Sequence, residues 1–226
     1  MQRWVILVAL LLAGCSESSA PPVRLPVSQP APAAQTVDDL VDAGARSAPV
    51  TVVGVAEQRA GGALLGAGRA RDGKGAWPIW IDGAQLTANA GQLVVVTVSG
   101  TLVGPGAFGP DGRARYQIVR PKVVQLTPSE TTIQQVSANQ AFSGRLVRLS
   151  GTLLVGETEA LLIDRVGSGG MPSGGSRQIK LELPRSVDVL PALAPSGSGA
   201  VRAGSVQIEG MVRDGAIVVF QIDTVR

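Results

Sequence analysis

The sequence predicts an all-β protein: two tandem five-stranded small barrels that follow a signal peptide and a disordered linker. Three observations carry that expectation. Short runs rich in Val, Leu and Ile alternate with turns of Gly, Ser and Pro, the rhythm of strands and their connections. An internal repeat spans most of the chain. Thr51–Leu65 (TVVGVAEQRAGGALL) aligns without a gap on Arg148–Leu162 (RLSGTLLVGETEALL). Gly54 falls on Gly151 and Ala63-Leu64-Leu65 on Ala160-Leu161-Leu162, in each case 97 residues on. Finally, glycine interrupts strand runs at Gly54, Gly100, Gly151 and Gly210, and an interior glycine marks a bulge or a tight bend.

The first element, residues 1–14, has one positive charge at Arg3, an apolar run from Trp4 to Leu12, and then small residues. That is the make-up of a secretory signal, and the run is shorter than the roughly 20 residues that cross a bilayer. Cys15, the sole cysteine of the chain, follows at once. Residues 15–35 then form a Pro-, Ser- and Ala-rich linker, which favours extended polyproline II and acts as a semi-rigid spacer.

The folded region divides into units at 36–126 and 132–226. Each opens on a threonine followed by apolar residues three apart, Thr36-Val37-Asp38-Asp39-Leu40 and Thr132-Ile133-Gln134-Gln135-Val136, which suits a short capped helix. Further on, PIWID (78–82) parallels QIKLE (178–182), VTVSG (96–100) parallels VQIEG (206–210), and YQI (116–118) parallels FQI (220–222). Unit 2 reads as five strands, RLVRLSGTLLV, EALLIDRV, RQIKLELP, SVQIEGMVR and IVVFQIDTV, with a helical insert over Ser186–Leu193. In unit 1 only about nine residues separate the third and fourth strands, so its insert shrinks to a turn.

Five strands, a helix after the third and glycine kinks in the first and fourth resemble the OB-fold. The resemblance extends over both units and implies a ligand site on strands two and three and the loops at the barrel mouth. A β-sandwich is the competing architecture. At the other end of the chain, Leu12-Ala13-Gly14-Cys15 resembles the lipobox of bacterial lipoproteins. That resemblance implies cleavage before Cys15 and acylation of its thiol, so that lipid chains hold the protein to a membrane. Ser16 stands where aspartate signals inner-membrane retention in Gram-negative lipoproteins. The resemblance therefore implies the outer membrane, facing the periplasm, or the cell surface in a bacterium with one membrane.

Composition excludes several chemistries. The chain has no histidine and one cysteine, so Ser-His-Asp and Cys-His catalysis and zinc sites of His and Cys are out of reach. No enzyme activity, cofactor or metal is expected. A carboxylate pair for cell-wall hydrolysis is the one catalytic alternative, and Glu157 and Glu159 lie in a predicted turn where solvated acids are ordinary. GRARDGKG (68–75) lacks the hydroxyl residue and the helix of a phosphate-binding loop. GPGAFG (104–109) matches G-x-G-x-x-G, yet Pro105 and the PDG that follows make it a loop between strands.

Unit 1 offers the best candidate for a binding surface. Between Glu57 and Lys122 it carries eight basic residues against four acidic, while Glu130 to Arg226 has nine of each. Trp77 and Trp80 have opposite strand parity, so one is expected in the core and the other in solvent, beside Arg69, Arg71 and Lys74. An exposed indole among cations would suit an anionic glycan or lipopolysaccharide. Nucleic acid ranks below these, because single-strand binding needs several stacking platforms and the chain has seven aromatics in all. The sequence thus reads as a lipid-anchored, non-catalytic envelope protein that binds or scaffolds other envelope proteins or glycans.

Overall fold

The computed structural model describes residues 34–44, 47–70, 76–88, 91–167, 172–185, 190–196 and 201–225. The signal segment, Cys15 and the linker as far as residue 33 lie outside the described residues.

Two closed rings of five strands form the fold. The first comprises β2 (Ala48–Arg59), β3 (Gly62–Gly66), β5 (Ile79–Asp82), β6 (Leu93–Val103) and β7 (Tyr116–Gln125). It runs β2-β3-β5-β7-β6 and closes by the pairing of β6 with β2. The second comprises β9 (Leu146–Val155), β10 (Ala160–Ile163), β11 (Gln178–Glu182), β13 (Val201–Arg213) and β14 (Ala216–Thr224). It runs β9-β10-β11-β14-β13 and closes from β13 to β9. In each ring the third and fifth strands pair in parallel, β5 with β7 and β11 with β14, and every other neighbour is antiparallel. Both are OB-like barrels, and closure leaves few strand edges exposed.

Period-2 alternation fills the barrels. In β11, Ile179 and Leu181 point inward while Gln178, Lys180 and Glu182 stay exposed. In β5, Ile79 and Ile81 take the same inward places. Each barrel is plugged by the helix that precedes its first strand. Val37 and Leu40 of α1 (Val37–Asp42) enter the first core, and Ile133 and Val136 of α2 (Ile133–Ala138) enter the second. Both helices start on a capping box. The Asp39 amide donates to Thr36 Oγ1 at 3.1 Å and the Thr36 amide to Asp39 Oδ2 at 3.2 Å. Thr132 and Gln135 make the same pair of bonds at 3.2 and 3.1 Å.

These plugs explain the mid-strand glycines. Gly54 and Gly151 are absent from the set of residues with positive φ, so close approach is what requires them. A Cβ on Gly151 would lie 2.8 Å from the Ile163 carbonyl oxygen and 2.9 Å from Ile133 Cδ1 of the plug. On Gly54 it would meet the Gly66 oxygen at 2.5 Å and Val37 Cγ2 at 2.8 Å. Gly100 and Gly210 sit at register shifts between the fourth and fifth strands, where the ladders bulge.

Three sequence expectations need correction. Of the helical insert expected over Ser186–Leu193, residues 186–189 lie outside the described residues, the rest holds a 3-10 turn at Leu190–Ala192, and Leu193 drops into the core beside Gly204. The YQI and FQI segments are not equivalent. Ile118 pairs with Leu102, whereas the residue opposite the matching Val212 is Ile217, five positions before Ile222. Tyr116 therefore lies in the first core, while Phe220 points out of the second barrel. Lastly, Gln35 is not linker: with Thr36 it forms β1 (Gln35–Thr36), parallel to β2, as β8 (Ser129–Glu130) is to β9.

A third apolar cluster joins the barrels. Val53, Val55 and Val95 on the outside of the first pack with Leu146, Val218 and Phe220 on the outside of the second, flanked by Ala34, Trp77, Leu93, Leu126 and Met211. The connection from β3 to β5 crosses this seam: β4 (Arg69–Ala70) leaves its own barrel and pairs in parallel with Gln221 and Ile222 of β14. Polar contacts follow on the flank. Arg185 donates to Asp42 at 2.9 Å and its amide to Asp38 at 3.1 Å, and Arg213 lies 3.7 Å from Asp39.

Candidate functional site

Among the described residues, the tryptophans expected to build a binding surface on unit 1 are packed under other parts of the chain. Trp80 sits on the outer face of β5, as parity requires, yet it is only 4% exposed. The loop between β6 and β7 folds over it: Gly109, in the left-handed region at φ +79°, would bring a Cβ within 3.1 Å of the indole, and Gly62 supports the ring from β3. The indole Nε1 donates to Asp82 Oδ1 at 3.4 Å. Trp77 precedes the strand, lies against Gly66, and is half-buried at the edge of the seam. The expectation of one core and one solvent-facing tryptophan is thus corrected: both pack outside the barrel core under other parts of the chain. Of the expected cations, Arg69 has its backbone in β4 on the second barrel, and Arg71 and Lys74 lie outside the described residues.

A different site emerges at the seam. A cleft of about 550 Å³ opens where the barrels diverge, within the range of ligand pockets. One wall is Leu93, Val94 and Val95 at the start of β6, with Gln92 before them. Its floor is the inter-barrel connection, Gln125 to Pro128. The facing wall belongs to the second barrel: Arg148 on β9, Glu209 on β13, and Gln221, Ile222 and Asp223 on β14.

Strand geometry sets these side chains. Arg148 and Glu209 are opposite each other across the β9–β13 ladder, on the face turned away from the core formed by Val147, Leu149 and Ile208. Arg148 Nε donates to Glu209 Oε1 at 2.8 Å, a second guanidinium nitrogen donates to the same oxygen, and Nη1 donates to Glu130 Oε1 at 2.6 Å. The bonds from Glu209, and then from Glu130, hold the guanidinium above its ordinary pKa, against the opposing effect of burial. On the same wall Gln221 Nε2 donates to Asp223 Oδ2 at 2.8 Å. Among the described residues the charged groups that line the cleft are Arg148, Glu209 and Asp223, and Glu130, outside the lining, bonds to Arg148.

None of these residues was singled out from the sequence. A signal was available: TVVGVA, LVVVTV and AIVVFQI are continuous apolar runs, which mark strands covered on both faces. Where such runs give way to Arg148, Glu209 and Asp223, the covered seam opens. Among the described residues no cluster of His, Cys, Asp and Glu is arranged to hold a metal ion. No family model, curated protein or solved structure matches the chain.

Proposed function

We propose that this chain is a lipid-anchored, non-catalytic binding or scaffolding protein of the bacterial envelope, which holds its partner in the cleft between the two barrels. The observation that carries the reading is the cleft itself. It combines an apolar wall at Leu93 and Val95 with polar groups at Arg148, Glu209 and Asp223, and both barrels are needed to form it. The lipobox-like Leu12-Ala13-Gly14-Cys15 supports the anchor, and a chain without histidine supports binding over nucleophilic catalysis.

Two measurements test the reading. Cys15→Ser is expected to leave an exported chain that extracts into the aqueous fraction; a mutant still requiring detergent would refute the anchor. A photo-crosslinking residue at Thr127, exposed on the cleft floor, is expected to give a discrete envelope adduct. The same residue at Glu157, in the β9–β10 turn, should give none. Equal labelling from both positions would remove the cleft as the binding site.

A further inference from the structure

We infer that the open edge of β7 takes an extended, acidic segment of a partner polypeptide, which adds to the first barrel as a strand. The repeat puts Gly100 on Gly210 and therefore Ser99 on Glu209. Ser99 lies opposite Lys122 and Glu209 opposite Gln221, so Lys122 and Val123 hold in the first barrel the places of Gln221 and Ile222 in the second. Those two residues of β14 carry β4 along their outer edge, in parallel. In the first barrel β5 pairs with β7 as far as Ile118, and among the described residues no strand continues along that edge from Val119 to Gln125. One barrel thus shows what the slot accepts, a short extended segment from outside its own ring, and the other leaves the slot open.

Charge defines the occupant. Arg120 and Lys122 are exposed, Arg113 and Arg115 lead into the same strand, and among the described residues none of the four makes an ion pair. Arg120 takes φ +52°, left-handed for a residue with a side chain, inside the register shift between Ser99 and Thr101, where a bulge turns a side chain out of the ladder. Beside Lys122 the outer face holds Thr51 and Ser99, whose hydroxyl oxygens lie 3.0 Å apart, at the positions where the second barrel has Arg148 and Glu209. From Gly83 to Ser129 the sequence contains one acid, Asp111, against these four cations. Outside the described residues, the chain as far as residue 126 carries two acids, Glu17 and Asp72, against five cations, so it adds no negative balance.

Lysine, proline and bulges on an edge deter pairing with neutral or basic strands, and an acidic strand converts that deterrent into attraction. Pro121 lies within the bulge, ahead of the stretch from Lys122 to Gln125, and removes no donor from it. Alternation sets the pattern of the entering segment. Lys122 faces outward beside Ser99 while Val123 packs against the first core, so acids alternate with apolar residues. Val124, 48% exposed, adds apolar surface on the outer side. The chain's own linker does not suit the slot, because residues 16–33 contain one acid and five prolines, which cannot donate to a ladder.

The test is fluorescence anisotropy of a labelled hexapeptide of alternating glutamate and valine, titrated with the full chain in non-ionic detergent. Saturable binding that weakens as salt is raised, and that a counterpart of lysine and valine lacks, is the expected result. Lys122→Gln, which installs the residue found in the second barrel, and Arg120→Gly, which keeps the left-handed backbone, are each expected to weaken binding at least fivefold. Lys180→Gln, at an exposed position of β11, should leave it unchanged. N-methylation separates strand pairing from charge, because one alternate set of peptide amides faces the neighbouring strand. Methylating the valines in one peptide and the glutamates in another should abolish binding for one and spare it for the other. No binding by the parent hexapeptide, or undiminished binding by Lys122→Gln, overturns the inference. Equal binding by both methylated forms also overturns it, by assigning the face to polyanions of any backbone.

Discussion

Gly151 is where a single residue ties the sequence most closely to the fold. An interior glycine costs a strand about 0.5–1 kcal/mol in backbone entropy, so its place in β9 needs a compensating reason. The Ile163 oxygen 2.8 Å from the missing Cβ, and the plug side chain of Ile133 at 2.9 Å, supply it. Neither neighbour can retreat easily: one is backbone inside a ladder and the other is buried in the core. Gly151→Val is therefore expected to destabilise the protein by about 2 kcal/mol or more, although valine is the better strand former. Gly174 is the control, with nothing within 4 Å of its Cβ position and no positive φ; Gly174→Ala should be neutral or stabilise by up to about 1 kcal/mol. Thermal melts of the two variants decide the matter. An unchanged midpoint for Gly151→Val would mean that the strand is not bent around a plug.

At the scale of elements, the capped helices make the clearest link from sequence to architecture. Thr36 and Thr132 each satisfy an amide of the first helical turn, and the apolar pairs that follow, their members three residues apart, fill the barrel cores. Thr132→Ala is expected to cost about 1 kcal/mol, measured by denaturant unfolding, while an unaltered midpoint would show that packing of Ile133 alone holds α2. Asp39 adds a dependence on pH. Burial raises its pKa, but the bonds from Thr36 and the charge of Arg213 outweigh that and leave it below the ordinary carboxylate value. A folded pKa below the unfolded one gives stability that is present above about pH 4 and lost as pH falls through the folded value. The stability gap between the native chain and Asp39→Asn should thus stay constant between pH 7 and 5 and close on further acidification; a gap that persists in acid would exclude the charge. These helices, the strands of both units and the glycine kinks were legible because each has a local signature of period or capping. Phe220, the crossing of β4, and the pairing of Arg148 with Glu209 were not. They depend on which outer faces meet, a choice made between residues far apart in sequence. Even the apparent match of Tyr116 with Phe220 followed side-chain similarity alone, since pairing sets Ile118 opposite Leu102 but Ile217 opposite the matching Val212. The insert read over Ser186–Leu193 has a 3-10 turn at Leu190–Ala192, and residues 186–189 lie outside the described residues.

For the whole molecule the decisive feature is that the barrels share structure. Phe220 is 1% exposed and Val218 8%, yet both point away from their own core, so they are buried by the first barrel's Val53, Val55 and Val95. The cover is also made of backbone: β4 pairs with β14 at Gln221 and Ile222, on a stretch of edge that the second barrel alone would leave open. Separating the units would bare an apolar face and a strand edge together, a combination that favours association with other chains. The two rings are accordingly expected to unfold as one. Phe220→Ala gives the sharpest test, because truncating a buried phenylalanine costs about 3–5 kcal/mol and this one belongs to the second barrel by sequence. Trp80 reports on the first barrel and is followed in a Trp77→Phe background, because Trp77 packs at the seam itself, and far-ultraviolet circular dichroism reports on both barrels. If the seam couples them, Phe220→Ala shifts the tryptophan and dichroism transitions to lower temperature together, in a single step. A tryptophan transition that keeps its native midpoint while a second, earlier dichroism step appears would mean that the barrels fold independently. The cleft would then be a gap between mobile domains, with no fixed wall to oppose Asp223.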